Sequence, residues 1–268
     1  MSGLVNGLGA RTGLLGKTED WKFANKAVLP GGIDTYTVCM IRSDHWNNCP
    51  VGTENPDISF YASGFHNQAS NGDPLHDTMG GSIPALECPD GHLLRSCIAF
   101  DGNDDIQFGG HEMKPHFSFM RDDYTIDFWV RLNSVTGDQY MFGFPCKSGT
   151  GYVPDGHFAC NLLNTDFRMG PMSNSAHGFI QTAHGLSTST WYHLAYVRHG
   201  DTTYLFKDGA LMTTGSVSSQ IDIVCTGNVK WGYGAAGNPI GGQMCEMRVS
   251  KGIARWTSAF PKPTKAYF

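Results

Sequence analysis

Carboxylates, amides and aromatic rings are the groups in this chain whose types and spacing bear on chemistry. The densest set is Asp101, Asn103, Asp104 and Asp105, with Asp77 beside Gly80-Gly81 upstream. Hard oxygen donors crowded this way suit calcium. The competing reading is a turn at Asp101-Gly102-Asn103 whose acids cap backbone N–H groups. Glycosidic cleavage needs two carboxyl groups converging on one bond, about 5–5.5 Å apart in retaining enzymes. A strand supplies that with acids at alternate positions, and none occur here. Asp127 and Glu246 stand alone in apolar or Arg-containing strands, and Glu246 is read as a structural ion pair with Arg248 two residues on. His193 shares a strand face with Trp191 and Ala195, which reads as a hydrogen-bonded core histidine. Arg255-Trp256 reads as a structural stack rather than a sugar contact. No Gly-x-Ser-x-Gly elbow or phosphate-binding loop is present.

Sugar recognition calls for rings that stack on C–H faces and amides or carboxylates that bond hydroxyls. Tyr152, Asp155 and His157 in the Gly-rich segment 147–157 are candidates, as are Tyr233, Asn238 and Gln243 around GYGAAGNPIGG. Each also fits an ordinary loop or interface residue.

Short strands must position these groups. The runs WYHLAYVR and TTYLFK, joined at His199-Gly200-Asp201-Thr202, read as a hairpin. Period-two counting puts Trp191, His193, Ala195 and Val197 on one face and Tyr204 with Phe206 on another. Asp208-Gly209 forms a second tight turn. In Tyr124–Leu132 apolar and polar positions alternate, predicting a half-buried strand with a neighbour on each side. Further strands are predicted at 34–41, 57–62, 96–100, 105–108, 139–144, 156–163, 178–181, 221–224, 229–232 and 243–250. In the last, Cys245, Met247 and Val249 alternate with Met244, Glu246 and Arg248. No segment longer than about ten residues has helical periodicity.

Composition narrows the class. Apolar residues make up 40%, enough for a core, while 34 glycines and many short apolar runs point to a β sandwich or barrel. The net charge of −5, without a Lys/Arg cluster, argues against nucleic-acid partners and anionic membranes. No apolar run approaches the roughly 20 residues that cross a bilayer, so no membrane insertion is expected. The opening lacks the basic region and apolar core of a signal peptide, so synthesis in the cytosol is expected. Hairpin-like separations allow Cys39/Cys49, Cys88/Cys97, Cys146/Cys160 and Cys225/Cys245 as disulfides. The cytosolic expectation instead favours mostly free, buried thiols.

The pieces CIAFDGNDD (97–105), YTIDFWVRL (124–132), TWYHLAYVR (190–198), TTYLFKDG (202–209) and CEMRVSKGIARWTSAFPKPTKAY (245–267) together resemble the laminin-G-like group of concanavalin A-like jelly rolls. The resemblance covers roughly 56–268. It implies an all-β fold, an antiparallel two-sheet jelly-roll sandwich, and a group that often binds calcium at loop tips. Residues 1–55 are then an extension carrying one strand. Its Gly-rich start, with Leu4, Leu8, Leu14, Leu15 and Trp21, cannot build a core alone and is read as an anchoring arm.

GLGARTGLLG near the start resembles the openings of virion structural proteins of tailed bacteriophages. That resemblance implies a non-catalytic capsid decoration, head fibre or tail component. Its expected partners are other virion proteins, copies of itself as a homotrimer, and host-surface polysaccharide. A carbohydrate-binding or adhesive module of a bacterial surface protein is the alternative, with a glycoside hydrolase third.

Overall fold

Alternation of large apolar residues with small or polar ones over short runs, punctuated by Gly, Asn and Asp, leaves the backbone one economical solution: stacked antiparallel strands. The computed structural model describes residues 36–41, 65–69, 97–108, 114–148, 156–172, 179–217, 222–232 and 238–267. The strands are β1 (Thr37–Ile41), β2 (Phe65–Ala69), β3 (Ile98–Asp101), β4 (Asp104–Phe108), β5 (Tyr124–Leu132), β6 (Asp138–Ser148), β7 (His157–Leu163) and β8 (Asp166–Pro171). They continue with β9 (Ile180–Ala183), β10 (Trp191–His199), β11 (Thr202–Lys207), β12 (Ala210–Ser216), β13 (Ile223–Cys225), β14 (Val229–Trp231) and β15 (Gly241–Lys251). Helix among the described residues is confined to one turn, α1 (Lys114–Phe117).

The first sheet has seven strands in the order β1-β15-β5-β10-β11-β12, with β3 also on β15. The second has eight, β2-β4-β14-β6-β7-β8-β9, with β13 on β6. This is the two-sheet jelly-roll sandwich expected. Phe128, Leu194, Tyr196 and Leu205 from the first sheet meet Phe142, Phe144, Phe158 and Trp231 from the second in one core. Phe128 and Trp231 touch across the layers edge to face, centroids 5.6 Å apart. Burying each such side chain is worth about 1.5–3 kcal/mol.

The β10–β11 hairpin forms as predicted, with His199 opposite Thr202 and Gly200 at φ 55°. Its faces differ from the prediction. Register sets Phe206 opposite Ala195 and Tyr204 opposite Val197, so all four lie on one outward face. Leu194, Tyr196 and Leu205 point inward. Strand β5 has its two predicted neighbours, β10 and β15, but is buried on both faces rather than one. Residues 252–267 cover its outer side, where Trp129 packs on Ala266 and Trp191 and Lys262 lies over the indole.

Simple alternation also fails in β15. The register slips between Cys245 and Arg248, and Glu246 sits at φ 51°, the signature of a bulge. One extra residue moves Met244 to the inward side with Met247 and Val249, and Cys245 to the outward side.

The strand predicted at 34–41 is β1, which pairs with the second half of β15. A strand from the 1–55 extension thus completes the edge of the first sheet, and Val38, Cys39 and Ile41 join the core. The strand predicted at 57–62 lies outside the described residues, as do Leu4, Leu8, Leu14, Leu15 and Trp21. Six cysteines are described, and all are free, buried thiols. Cys160 faces Phe142, and Cys146 faces Cys225, so the spacing-based pairs Cys146/Cys160 and Cys225/Cys245 do not match the registers.

Candidate functional site

The outer face of the first sheet is occupied by the chain's own end. Trp256 stacks on Phe260 with centroids 4.1 Å apart, and Phe260 packs edge-on against Phe206 at 5.2 Å. Beneath them Asp127, wholly buried, receives Arg248 Nε on Oδ1 at 3.0 Å and Arg248 Nη2 on Oδ2 at 3.1 Å. The Tyr267 hydroxyl donates to Asp127 Oδ2 at 2.6 Å, and His193 Nε2 lies 3.0 Å from that hydroxyl. The Tyr267 backbone N–H donates to the Glu246 carboxylate. Arg248 lies over the Tyr267 ring at 3.9 Å. His193 is therefore a hydrogen-bonded core histidine, and Arg255-Trp256 is structural: Arg255 Nε donates to Ser250 Oγ at 2.8 Å.

The face of the second sheet away from the core carries a different set of side chains, of which Ala159, Asn161 and Tyr140 are buried and Gln181 is exposed. On β7 the inward Phe158, Cys160 and Leu162 alternate with His157, Ala159 and Asn161. Register aligns Lys230, Gly143, Ala159 and Gly170 across β14, β6, β7 and β8. Gly143, Ala159 and Gly170 form a floor of small residues two strand spacings, about 10 Å, wide, with Lys230 at its edge. A Cβ on Gly143 would lie 3.0 Å from the Phe158 carbonyl oxygen, so the floor is also tight. Next to it runs a polar row, Tyr140, Asn161, Arg168 and Gln181, on β6 to β9.

Tyr140 pairs with Asn161, four residues from His157 along β7, yet its ring centroid lies 6.0 Å from that of His157. The phenol thus leans along the strip toward His157. Burial, then the nearby charge of Asp138, push that phenol above its usual range, with Arg168 opposing. Asp138 ties the row together: Asn161 Nδ2 donates to Oδ1 at 2.6 Å and Asn238 Nδ2 donates to Oδ2 at 3.1 Å. Asn161 is 1% exposed, yet its Oδ1 has no hydrogen-bond partner, and neither does the buried Nε of Arg168. At the far end Lys230 Nζ donates to Asp105 Oδ2 at 2.6 Å, leaving Asp105 Oδ1 buried and unpartnered. Burial raises the Asp105 carboxyl, opposed by the Lys230 hydrogen bond and charge. A hollow of about 260 Å³ beside Lys230 is lined by Gly143, Phe144, Pro145 and Asn228.

Of the six sequence-predicted ligand residues, the structure brings two to this strip, His157 beside Tyr140 and Asn238 through Asp138. Gln243 lies on the other sheet, accepting a hydrogen bond from Arg131 Nη1 at 3.2 Å. Tyr152, Asp155 and Tyr233 lie outside the described residues. Asp101 Oδ1 caps the Asn103 N–H at 2.7 Å, and Asp105 is engaged by Lys230. Asp77 and the Asp104 side chain lie outside the described residues, within which no cluster of three or more His, Cys, Asp or Glu is placed to hold a metal. Sequence reading missed Tyr140, Asn161, Arg168 and Lys230. Their signal was the small-or-polar phase of β6, β7 and β8, set against Phe and Leu in the other phase.

Two antiparallel sheets, one face closed by a C-terminal strap and the other carrying a polar strip, define a lectin-like jelly roll. The family model of the concanavalin A-like lectin/glucanases superfamily (Laminin_G_3) matches residues 100–255, more than half of the chain, and the chain belongs to that superfamily. No curated protein matches it in sequence. Among solved structures, the binding domain of botulinum neurotoxin DC in complex with SialylT superposes with a TM-score of 0.50 at 11% identity, over 82% of this chain and 49% of that one. This chain therefore spans about half the length of that binding domain. Domain 4 of the extracellular arabinanase AbnA from Geobacillus stearothermophilus, in complex with arabinotriose, gives 0.45 at 16% identity, over 69% and 86% of the two chains. The CBM40 of the Ruminococcus gnavus IT-sialidase, bound to α2,3 sialyllactose, gives 0.45 at 17% identity, over 59% and 92%. At these identities the likeness is one of fold.

Proposed function

We propose that this chain is a non-catalytic glycan-binding module, displayed on a tailed-phage virion and held there by its N-terminal arm. The observation that carries the binding half is the pair of buried, unpartnered polar atoms, Asn161 Oδ1 and Arg168 Nε, beside Tyr140 on a floor of small residues. Leaving such groups without a partner costs about 1–3 kcal/mol each, a cost that hydroxyl-rich ligands relieve. A donor and an acceptor fixed in one row, with a ring alongside, match the alternating hydroxyls and C–H face of a sugar. Membership of a superfamily of lectins and glucanases supports this reading, as does a fold neighbour whose binding domain is in complex with SialylT.

Hydrolysis receives less support. The described acids of this face are all engaged, Asp138 by two amides, Asp166 by Gln181 and Asp105 by a lysine. The virion half rests on the sequence of the first residues, and a bacterial surface module would use the same strip.

Titration of the purified chain against host-surface polysaccharides tests the binding half. Arg168→Ala and Asn161→Ala should weaken binding tenfold or more, about 1.4 kcal/mol, without changing the melting temperature by more than a few degrees. Unchanged affinity in both variants, or no glycan bound by the parent chain, would end this reading.

A further inference from the structure

Cys146 on β6 and Cys225 on β13 face each other across an antiparallel ladder. The hydrogen bonds identify the kind of pair. Cys146 N–H donates to the Gly156 carbonyl on the opposite side, at 3.0 Å, and Cys225 N–H donates to Ser118 Oγ at 3.0 Å. Neither amide is turned toward the other cysteine, whereas the next pair is bonded, Thr226 N–H to the Pro145 carbonyl at 2.9 Å. The two cysteines therefore occupy a non-hydrogen-bonded position, where Cα atoms approach to about 4.5 Å and side chains are nearest. That spacing lies within the roughly 4.4–6.8 Å range a disulfide spans. Both thiols are free and buried.

We propose that Cys146 and Cys225 are a disulfide site, closed when the folded chain meets a low-molecular-weight disulfide such as oxidised glutathione. One cysteine thiolate attacks a sulfur of the oxidant, breaking its S–S bond and releasing one thiolate. The second cysteine thiolate attacks the resulting mixed disulfide, forms the Cys146–Cys225 bond and expels the other half. The two cysteines lose two electrons and two protons, and the oxidant becomes two thiols. Burial pushes the thiols up, Cys146 to about 12 and Cys225 to about 11, so thiolate is scarce and closure is slow at neutral pH. Cys225 is the easier to release, because β13 is three residues long and is held on its far side only by the bridge from Ile223 to Met120 and the Cys225 N–H bond to Ser118 Oγ. In reducing cytosol the pair stays open, and in oxidising surroundings it closes.

The bond would enclose residues 146–225, a loop containing β7 to β12 and so strands of both sheets. Closing a loop of that length should raise the melting temperature by roughly 10 °C.

The test treats the full chain with oxidised glutathione, alkylates it under denaturing conditions and maps the peptides by mass spectrometry. The expected result is one linked peptide pair containing Cys146 and Cys225, with the melting gain reversed by dithiothreitol. Cys225→Ser, compared with the parent in reductant, should melt similarly and lose the oxidant-dependent gain. Full alkylation of Cys146 and Cys225 after oxidation would overturn the proposal. So would a bond joining Cys97 to Cys245, which share a small cluster on the other sheet, while Cys146 and Cys225 stay free.

Discussion

At the residue scale, Asp127 is the most demanding position. A fully buried carboxylate loses its hydration, and burial alone would raise its pKa. The charge of Arg248, then the bond and charge from His193, more than reverse that and hold the carboxyl well below the usual carboxylate range. A depressed folded value has a definite sign. The stabilisation is complete above the unfolded value, near pH 4, and is lost progressively as pH falls below it toward the folded value. The melting temperature should therefore be flat from pH 7 to about pH 5 and decline below pH 4. Asp127→Asn should flatten that decline and cost about 3–5 kcal/mol at pH 7, since it leaves Arg248 buried opposite a neutral amide. An unaltered acid limb in thermal melts of the variant would show that Asp127 is not its source. The sequence contained both residues but not their pairing. Asp127 faces Arg248 only after the bulge at Glu246 shifts the register by one, whereas counting along β15 tied Arg248 to Glu246.

At the element scale, the strap 252–267 depends on the turn between β11 and β12. Asp208 and Gly209 both adopt positive φ, 52° and 80°, the geometry of a type I′ hairpin turn. The Phe260 N–H bonds the Gly209 carbonyl at 2.9 Å, and a Cβ on Gly209 would fall 2.0 Å from the Phe260 carbonyl oxygen. Gly209→Ala must therefore push the strap away as well as strain the turn. Thermal melts should show a loss of about 2 kcal/mol or more, with Trp256 fluorescence shifted to longer wavelength as its stack on Phe260 opens. Gly200→Ala is the control, because nothing lies within 4 Å of its Cβ position and only the φ penalty remains. Equal losses in the two variants would mean that the close approach to the strap contributes nothing. Strand positions were legible here because period two survives in short windows. Which face a strand presents was less legible, since burial on both sides of β5 and the bulge in β15 depend on partners distant in sequence.

At the scale of the whole molecule, the superfamily was legible because short strand-and-turn pieces carry its pattern in order along the chain. The candidate strip was legible only in part. His157 and Asn238 stood out as ring and amide in Gly-rich stretches, but Asn161 and Arg168 became a row only through the pairing of β6, β7 and β8. The division of the chain at residue 55 separates β1 from the sheet it completes, and that yields a prediction about two truncations. Deleting residues 1–20 removes the Gly- and Leu-rich start while leaving β1, so the sandwich should melt as the full chain does. If the start anchors the chain, that truncation should also be missing from particles purified after complementation, as read by mass spectrometry. Deleting residues 1–55 removes Val38, Cys39 and Ile41 from the core and leaves half of β15 as a bare edge. Losing those buried side chains should cost about 5 kcal/mol, and the exposed edge should promote aggregation. Equal stability of the two truncations would show that β1 contributes nothing to the fold, and particles that retain the shorter truncation would refute the anchoring role of residues 1–20.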